Sequence, residues 1–412
     1  MEPILIYQDK QTTYLKNILT NSICSVKTFD YKNFLREASL SDLISKINQV
    51  NPFIHANHTN STLSIYIVTT MACNLTCSYC FENDKSREPS LSFQYHTDDI
   101  VRMLLQLLHQ QAYENIEVCF TGGEPLINFK FIKQLVSIFD QKINLPISYS
   151  LITNGTIMSK AILLFLEEHK FHLQISFDGS KSFHNLERKN SIGVGTYDRL
   201  LKNVAHLLNE SKQISIQIRV NITKNNWKSI GELFSDLVPF SKYDQFVVYF
   251  DFVAVPLSSP LYISNSNKLE ISLYLINELE RYHLPWLKEI VNGGYCMYKN
   301  NNAFTIHANG DLYKCYSLVG DDHYIHGSIF KKDINIQGSG SLCEECDCPY
   351  YELCYGGCPF DYFAIHNKME KNCQYHFLDS LSKLVFLAEI GKLTGHDDNL
   401  LIQHVKMKPV EL

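Results

Sequence analysis

No window of the chain approaches the roughly 18 uninterrupted apolar residues that a membrane-spanning helix needs, and the densest runs, Ala161 to Leu166 and Leu384 to Ala388, are short. Positive charge is not in excess either. The 37 Lys and Arg face 43 Asp and Glu, a formal net charge of -6 over 412 residues, so no general attraction draws this surface to phosphate backbones or anionic membranes, and neither is expected as a partner. Met1 to Lys10 has no basic stretch leading into an apolar core, so no secretory signal is read and a cytoplasmic location is expected. No repeat of solenoid length occurs. What is present excludes disorder: 45% hydrophobic and 12% aromatic residues supply a large core, and the length admits two or three domains.

Cysteine is abundant. Thirteen in a chain without a secretory signal do not read as a disulfide framework, and they are clustered: Cys73, Cys77 and Cys80 form one group, eight more lie between Cys296 and Cys373, and only Cys24 and Cys119 stand alone. Clusters at such spacing point to metal. Cys119, inside an apolar run, is expected to pack as a small hydrophobe, and Cys24 lies outside the expected catalytic domain.

Residues 1–62 are polar-rich, with an apolar run at Ile4 to Tyr7, a helical pattern at Tyr31 to Val50 and an Asn- and His-rich linker at Asn51 to Asn60. From Ser64 the pattern becomes regular. Six short β-branched or aromatic runs, Ser64 to Thr69, Ile116 to Thr121, Ile147 to Ile152, His172 to Phe177, Ser215 to Asn221 and Gln245 to Val253, read as strands. Between them lie amphipathic windows: Val101, Leu104, Leu105 and Leu108, then Phe131 to Phe139, Ala161 to Glu168, Tyr197 to Leu208 and Ser229 to Leu237. Such alternation implies parallel strands with right-handed crossovers, as an open sheet or an incomplete barrel. Either way ligands gather beyond the carboxyl ends of the strands. After Pro256 the alternation stops; a helix over Leu269 to Trp286 precedes the cysteine-rich region, and a terminal helix with Leu378, Leu381, Val385 and Ala388 on one face follows it.

Cys73-Asn-Leu-Thr-Cys77-Ser-Tyr-Cys80 directly follows the first of these strands. Three thiolates on one loop can hold three irons of a [4Fe-4S] cube that ordinarily takes four protein ligands, and an open coordination position is what separates a reactive metal site from a structural one. A zinc site completed by a distant histidine is the alternative. Gly122-Gly123-Glu124-Pro125 follows the second strand, where two glycines allow close backbone approach and Glu124 offers a carboxylate to an ammonium. Asn154 follows the third strand, and Ser176 and Asp178 end the fourth with groups suited to hydroxyls; ordinary turn chemistry also uses these residue types. Arg219 and Asp251, charges within apolar strands, are expected to pair with each other or with substrate.

The spacing Cys-x3-Cys-x2-Cys with an aromatic before the last cysteine resembles the signature of radical S-adenosylmethionine enzymes, and the likeness spans residues 64 to 375. It implies a partial (β/α)6 TIM-like barrel. In that family the open iron binds the amino and carboxylate groups of S-adenosylmethionine, one electron cleaves the sulfonium, and a 5′-deoxyadenosyl radical abstracts a substrate hydrogen. Carried onto this chain, the likeness makes Cys73, Cys77 and Cys80 the cluster ligands, sets Tyr79 against the adenine, and gives Gly122, Gly123, Glu124, Pro125, Asn154, Ser176, Asp178 and Arg188 to the S-adenosylmethionine pocket, Arg188 on the methionine carboxylate. Tyr79 also reads as a packed aromatic.

Gly310-x4-Cys315 and Cys348-x5-Cys354-x3-Cys358 look like the SPASM extension of peptide maturases in this family, which carries one or two auxiliary [4Fe-4S] clusters. Two departures stand out. The pattern wants a cysteine at Glu345, which Cys343 and Cys346 flank, and no cysteine lies a few residues before Cys296. The implied partition is Cys296, Cys315 and Cys358 on one cube and Cys348, Cys354 and Cys373 on the other, with Cys343 and Cys346 as fourth ligands in open order. Zinc knuckles remain the other reading of such pairs, and His323 and His326 read as solvated. The expected division is 1–62 as a segment with possible peptide recognition, 63–256 as the barrel, 257–290 as a helical bridge, 291–375 as the SPASM domain and 376–412 as a terminal helix and tail. The resemblance implies a precursor peptide or protein as substrate, acquiring a cross-link, with an electron donor such as flavodoxin or ferredoxin; formylglycine formation on a sulfatase, or a non-catalytic metal-binding adaptor, are the alternatives.

Overall fold

The computed structural model describes residues 4–8, 12–18, 23–27, 61–81, 97–288, 296–331, 336–338, 343, 348, 350–354, 356–366 and 368–391. Three strands open the chain, β1 (Ile4–Gln8), β2 (Thr12–Asn17) and β3 (Ile23–Lys27), paired antiparallel in that order. Only the apolar run in β1 was legible. Thr13, Lys16 and Asn17 are buried in β2, so the polar-out alternation that marks a half-buried strand is missing. The helix expected over Tyr31 to Val50 and the linker at Asn51 to Asn60 lie outside the described residues.

The six expected strands all form. In chain order they and their crossovers are β4 (Thr62–Thr70), α1 (Thr97–Gln110), β5 (Asn115–Gly122), α2 (Phe129–Lys142), β6 (Ile147–Thr153), α3 (Lys160–Glu168), β7 (His172–Phe177), α4 (Lys181–Glu187), α5 (Tyr197–Glu210), β8 (Ser215–Ile222), α6 (Ile230–Leu237) and β9 (Phe246–Phe252). Each strand from β4 to β9 pairs in parallel with the next. Alternation sorts the side chains: Ile216, Ile218 and Val220 of β8 are buried in the core shared with the helices, so Gln217, Arg219 and Asn221 occupy the opposite face. Leu63, Ile65 and Ile67 of β4 are likewise in that core, beside Val101, Leu104 and Leu107 of α1.

The sheet does not end at β4. After α7 (Asn265–Arg281), strand β10 (Ala303–Ile306) pairs in parallel with β4, and β11 (Asp311–Tyr313) and β12 (Ile325–Ser328) follow antiparallel, giving the order β12-β11-β10-β4-β5-β6-β7-β8-β9. This extension was not legible because β10 is four residues long and buried throughout, leaving no period to detect. The helix expected to reach Trp286 stops at Arg281; His283 takes a left-handed φ of 51° and Trp286 bridges to Val248. The remaining helices are α8 (Tyr351–Cys354), α9 (Pro359–His366) and α10 (Tyr375–Glu389). Leu381, Leu384, Val385 and Ala388 of α10 join the barrel core, while Leu378, Phe386 and Leu387 form a second core with Leu5, Ile18 and Tyr350. Among the described residues no helix is long and apolar enough to cross a membrane.

Candidate active site

Beyond Thr70 the chain leaves β4 into the loop that carries Cys73, Cys77 and Cys80, and the neighbouring strand exits hold that loop. Gly122 has a φ of 124°, and a Cβ there would lie 2.3 Å from the Thr70 carbonyl oxygen; on Gly123 it would lie 2.5 Å from those of Met71 and Ala72. The glycine pair therefore lets the β5 exit lie directly on the start of the cysteine loop. The Gly123 and Glu124 N–H groups donate to the Thr70 and Ala72 carbonyls, each at 2.9 Å.

Glu124 has a task that its sequence neighbours did not reveal. Fully buried, its carboxylate accepts from Leu126 N at 3.1 Å, Thr153 Oγ1 at 2.7 Å and Asn154 N at 2.8 Å, tying the exits of β5 and β6 together. Burial raises its pKa against the pull of these donors. Pro125 begins a short 3-10 turn and accepts from Thr69 Oγ1 at 3.2 Å. Asn154 Nδ2 donates to Asn74 Oδ1 at 2.9 Å, and Asn74 Nδ2 donates to Thr156 Oγ1 at 2.8 Å. Two donors reach the first thiol: Leu75 N lies 3.4 Å and Asn154 Nδ2 3.9 Å from Cys73 Sγ. Donors to sulfur are among the devices that tune an iron-sulfur centre. Burial pushes the Cys77 thiol up to about 11.

Tyr79, Asp178 and Arg188, far apart in sequence, meet in one network. The Tyr79 hydroxyl donates to Asp178 and accepts from Arg188 Nη1 at 2.9 Å and Asn221 Nδ2 at 3.2 Å; Asn221 Nδ2 also reaches Asp178 Oδ1 at 3.0 Å, and Arg188 Nη1 lies 3.5 Å from that oxygen. Burial first, then the Asp178 charge, raises the Tyr79 pKa well above the usual tyrosine value. His184 accepts from Asp178 N at 3.4 Å and contacts Thr196 Oγ1 at 3.1 Å. Ser176 sits one step below on β7, opposite Arg219 in the ladder. Asn221 and His184 were not singled out from sequence, whereas Asn74 and Thr153 lie inside the loop and the strand-end segment that were. The rule that ligands gather at strand ends would have found Asn221, two residues beyond Arg219 on the same face of β8.

S-adenosylmethionine is the group the resemblance assigns here, and one atom tests the fit: Arg188 Nε is buried with no hydrogen-bond partner. A buried guanidinium with a spare donor suits a carboxylate, so the residues fit.

Arg219 and Asp251 pair with each other at 2.8 Å. Beside them Tyr316 stacks on Tyr66, ring centroids 5.5 Å apart and planes within 6°. Asn221 and Asp251 are ladder partners, so the pair stands level with the Tyr79 network. From there a cavity of about 1070 Å³ opens between β9, the first turn of α7 and α10, with Asp251, Lys268, Asp361 and Tyr375 among its walls and Cys343, Cys348 and Cys373 along one side.

The remaining described cysteines lie near enough to act on one another's charge, and Lys299 stands within reach of Cys296, Cys343, Cys354 and Cys358 together. Burial, then the charges of Cys354, Cys343 and Cys373, raises the Cys348 pKa; burial and Asp361, with Cys315 and Cys296 behind them, raise that of Cys358. Lys299 Nζ bridges the segments, donating to the Cys354 carbonyl at 3.1 Å and the Gly357 carbonyl at 2.6 Å. Asn372 N donates to Gly356 O at 2.8 Å and joins the Cys358 turn to Cys373. Cys346 lies outside the described residues. Among those described, no three His, Cys, Asp or Glu side chains are grouped as ligands of a single ion. Cys119 is buried in β5 as expected.

Comparison with known proteins bears on this arrangement. Residues 67–237 match the model of the Radical SAM superfamily. The cysteine-type anaerobic sulfatase-maturating enzyme of Clostridium novyi (strain NT) is 25% identical over 365 residues, covering 77% of this chain and 94% of that one. Among solved structures, native anSMEcpe with bound AdoMet and Cp18Cys peptide superposes with a TM-score of 0.60 at 20% identity, over 84% of this chain and 100% of that one. Streptococcus suis SuiB bound to precursor peptide SuiA gives a TM-score of 0.55 at 18% identity, over 91% and 99%. These two likenesses establish a shared fold.

Proposed function

We propose, because the chain is a radical S-adenosylmethionine enzyme of the maturase kind, that it modifies a side chain of a ribosomally made precursor peptide, most simply by forming a cross-link. One observation carries the reading: the three-cysteine loop, the Tyr79–Asp178–Arg188–Asn221 network and the large cavity share one end of the sheet.

Cys73, Cys77 and Cys80 would hold a [4Fe-4S] cluster, and S-adenosylmethionine bound there would supply one-electron radical chemistry for removing a substrate hydrogen. The chain's own residues position and shield. Arg188 would hold the methionine carboxylate through Nε; the carbonyls of Gly122 and Gly123 and the remaining lone pairs of Glu124 would receive the ammonium. Tyr79 would border the adenine, with Ser176 and Asp178 toward the ribose. Asn154 and Pro125 close the pocket by fixing the exits of β6 and β5.

Two auxiliary [4Fe-4S] clusters complete the proposal. Cys296, Cys315 and Cys358 would serve one, with Cys346, and Cys343, Cys348, Cys354 and Cys373 the other. The partition follows the cysteine spacing, and the cavity wall that Cys343 shares with Cys348 and Cys373 supports placing it in the second set.

The peptide reading draws support from both structural neighbours, each solved with a bound peptide. The small sheet β1–β3 gives a leader a surface on which to add a strand; deleting residues 1–27 and finding peptide affinity unchanged removes that part. Formylglycine formation on a sulfatase is favoured by the relative matched over 94% of its length. The deciding experiment supplies the anaerobically reconstituted protein, dithionite and S-adenosylmethionine with either the precursor peptide encoded beside the gene or a sulfatase peptide. Loss of two hydrogens without a trappable aldehyde supports the cross-link; an aldehyde captured by hydrazide supports the sulfatase reading; no deoxyadenosine in either arm refutes both.

A further inference from the structure

Between α4 and α5 the chain makes a hairpin, Lys189 bridging Gly195, whose tip is exposed and apolar. Ile192 is 82% exposed, Val194 56%, and Leu186 just before the hairpin 60%. The tip is preset. Asn190 Oδ1 accepts from Ile192 N at 3.1 Å and Val194 N at 2.9 Å, Asn190 N donates to Val194 O at 3.0 Å, and Gly193 N returns to Asn190 O at 2.9 Å. Gly193 holds a φ of 82° with open space around it. A rigid loop that keeps large apolar side chains in water calls for an explanation outside the fold, since a lone exposed apolar residue is ordinary but a built, clustered set is not.

The hairpin is fastened to the cysteine loop. Lys189 O accepts from Thr76 N at 2.8 Å and Thr76 Oγ1 at 3.2 Å, and Glu187 accepts from Ser78 Oγ; Thr76 and Ser78 flank Cys77. Its charge also differs from that of the whole. Residues 181–202 hold Lys181, Arg188, Lys189, Arg199 and Lys202 against Glu187 and Asp198, in a chain of net charge -6. Arg188 is turned inward to Asp178, and Lys181 pairs with Asp198 at 2.7 Å, which leaves Lys189 at the base of the hairpin, where it bridges Gly195, and Arg199 and Lys202, both exposed, in the first turns of α5 that follow it.

We propose that this hairpin and the start of α5 are the docking surface for the reductant, a small acidic one-electron carrier protein. This rests on the radical S-adenosylmethionine reading. The reduced carrier loses one electron and the cluster held by Cys73, Cys77 and Cys80 gains it, with no bond formed or broken in the transfer. An apolar tip followed directly by exposed cations fits such a partner: the tip supplies contact, the cations supply steering, and the preset loop loses little entropy on docking.

The test compares two reductants on the full-length, anaerobically reconstituted protein. Reduced flavodoxin serves as the carrier probe, and dithionite needs no docking surface. Wild-type protein must form deoxyadenosine with dithionite; if it does not, the underlying reading fails and the docking surface is not what failed. For the double variant Ile192→Ser/Val194→Ser, whose side chains are outside the core, flavodoxin-driven cluster bleaching in a stopped-flow spectrometer is expected to slow about tenfold at sub-saturating carrier, with a matching loss of flavodoxin affinity by calorimetry. Arg199→Glu/Lys202→Glu should slow it similarly and flatten its dependence on salt. Dithionite-driven rates stay unchanged in both. Unchanged flavodoxin rates in both variants overturn the proposal, as does equal slowing with dithionite. It is also overturned if peptide affinity or oligomeric state changes while flavodoxin rates hold, because the hairpin then serves a peptide or a second copy.

Discussion

The amide of Asn221 shows how much of the site depends on a residue that no motif announces. Its Nδ2 reaches both the Tyr79 hydroxyl and Asp178, so it holds the aromatic ring and the carboxylate in one arrangement. A hydrogen bond to a charged group contributes about 1.5–3 kcal/mol. Asn221→Ala is therefore expected to weaken S-adenosylmethionine binding by roughly ten- to a hundredfold by calorimetry, with the melting temperature little changed. Asn221→Asp, which sets a second carboxylate beside Asp178, should weaken it further. Neighbouring His184 offers a test by pH. Burial, then the Arg188 charge, lowers its pKa well below the usual value, and its Nδ1 faces the Asp178 N–H, a donor that an imidazolium cannot accept. The folded chain thus binds fewer protons here than the unfolded chain, whose histidine titrates near about 6.5. This contribution to stability is complete above about 6.5 and is lost as pH falls below it. Melting temperatures measured between pH 5 and 8 should fall on the acid side less steeply for His184→Gln than for the wild type; parallel curves would exclude His184 as the cause. At this scale the cysteines were legible because metal ligation restricts residue type and spacing. Asn221 and His184 were not, because an amide or an imidazole within a strand-and-turn pattern is ordinary until the fold shows what it faces.

At the scale of elements, strands β4 to β9 were legible because each is buried under helices and reads as a β-branched run between amphipathic windows. The strands that failed to register have other reasons to be strands. β10 exists because β4 offers it an edge, and β2 buries Lys16, which no pattern of apolar residues predicts. The Lys16 ammonium is fully buried against Glu389 at the end of α10. Burial lowers the lysine's pKa and raises the glutamate's, each partly restored by the other. Removing one member of such a pair costs about 3–5 kcal/mol, whereas replacing both with apolar side chains is close to neutral. Glu389→Ala should therefore loosen the small sheet from α10, seen as faster amide hydrogen exchange across β1 to β3 with the barrel strands still protected. The double variant Lys16→Met/Glu389→Leu should restore protection. If the single variant exchanges like the wild type, the pair is not what fixes the sheet.

At the scale of the whole molecule, barrel and cysteine-rich region are one continuous sheet. β10 to β12 lie between Cys296 and Cys343 in the chain, yet they complete the barrel's edge along β4. The sequence suggested a boundary at residue 290 because the composition changes there, and composition does not record pairing between strands more than two hundred residues apart. The continuity makes metal content and barrel stability interdependent in one direction. With three cubes the chain would carry about 12 irons, and changing Cys73, Cys77 and Cys80 together to alanine should leave about 8, because that loop hangs from the strand ends without carrying a strand of its own. Cys315→Ala is different. Cys315 lies just beyond β11 and next to the buried Lys314, whose ammonium donates to the carbonyls of Asn300, Ala303 and Ile336. Loss of the auxiliary cluster proposed there should release that clamp along with the iron and lower the melting temperature of the barrel itself, since binding energy at a structural metal site is folding energy. Iron analysis and calorimetric melting of the two variants decide the matter: the triple variant should lose about a third of its iron and melt near the wild-type temperature, and Cys315→Ala should melt lower. Equal melting temperatures would mean that the sheet holds β10 without help from metal.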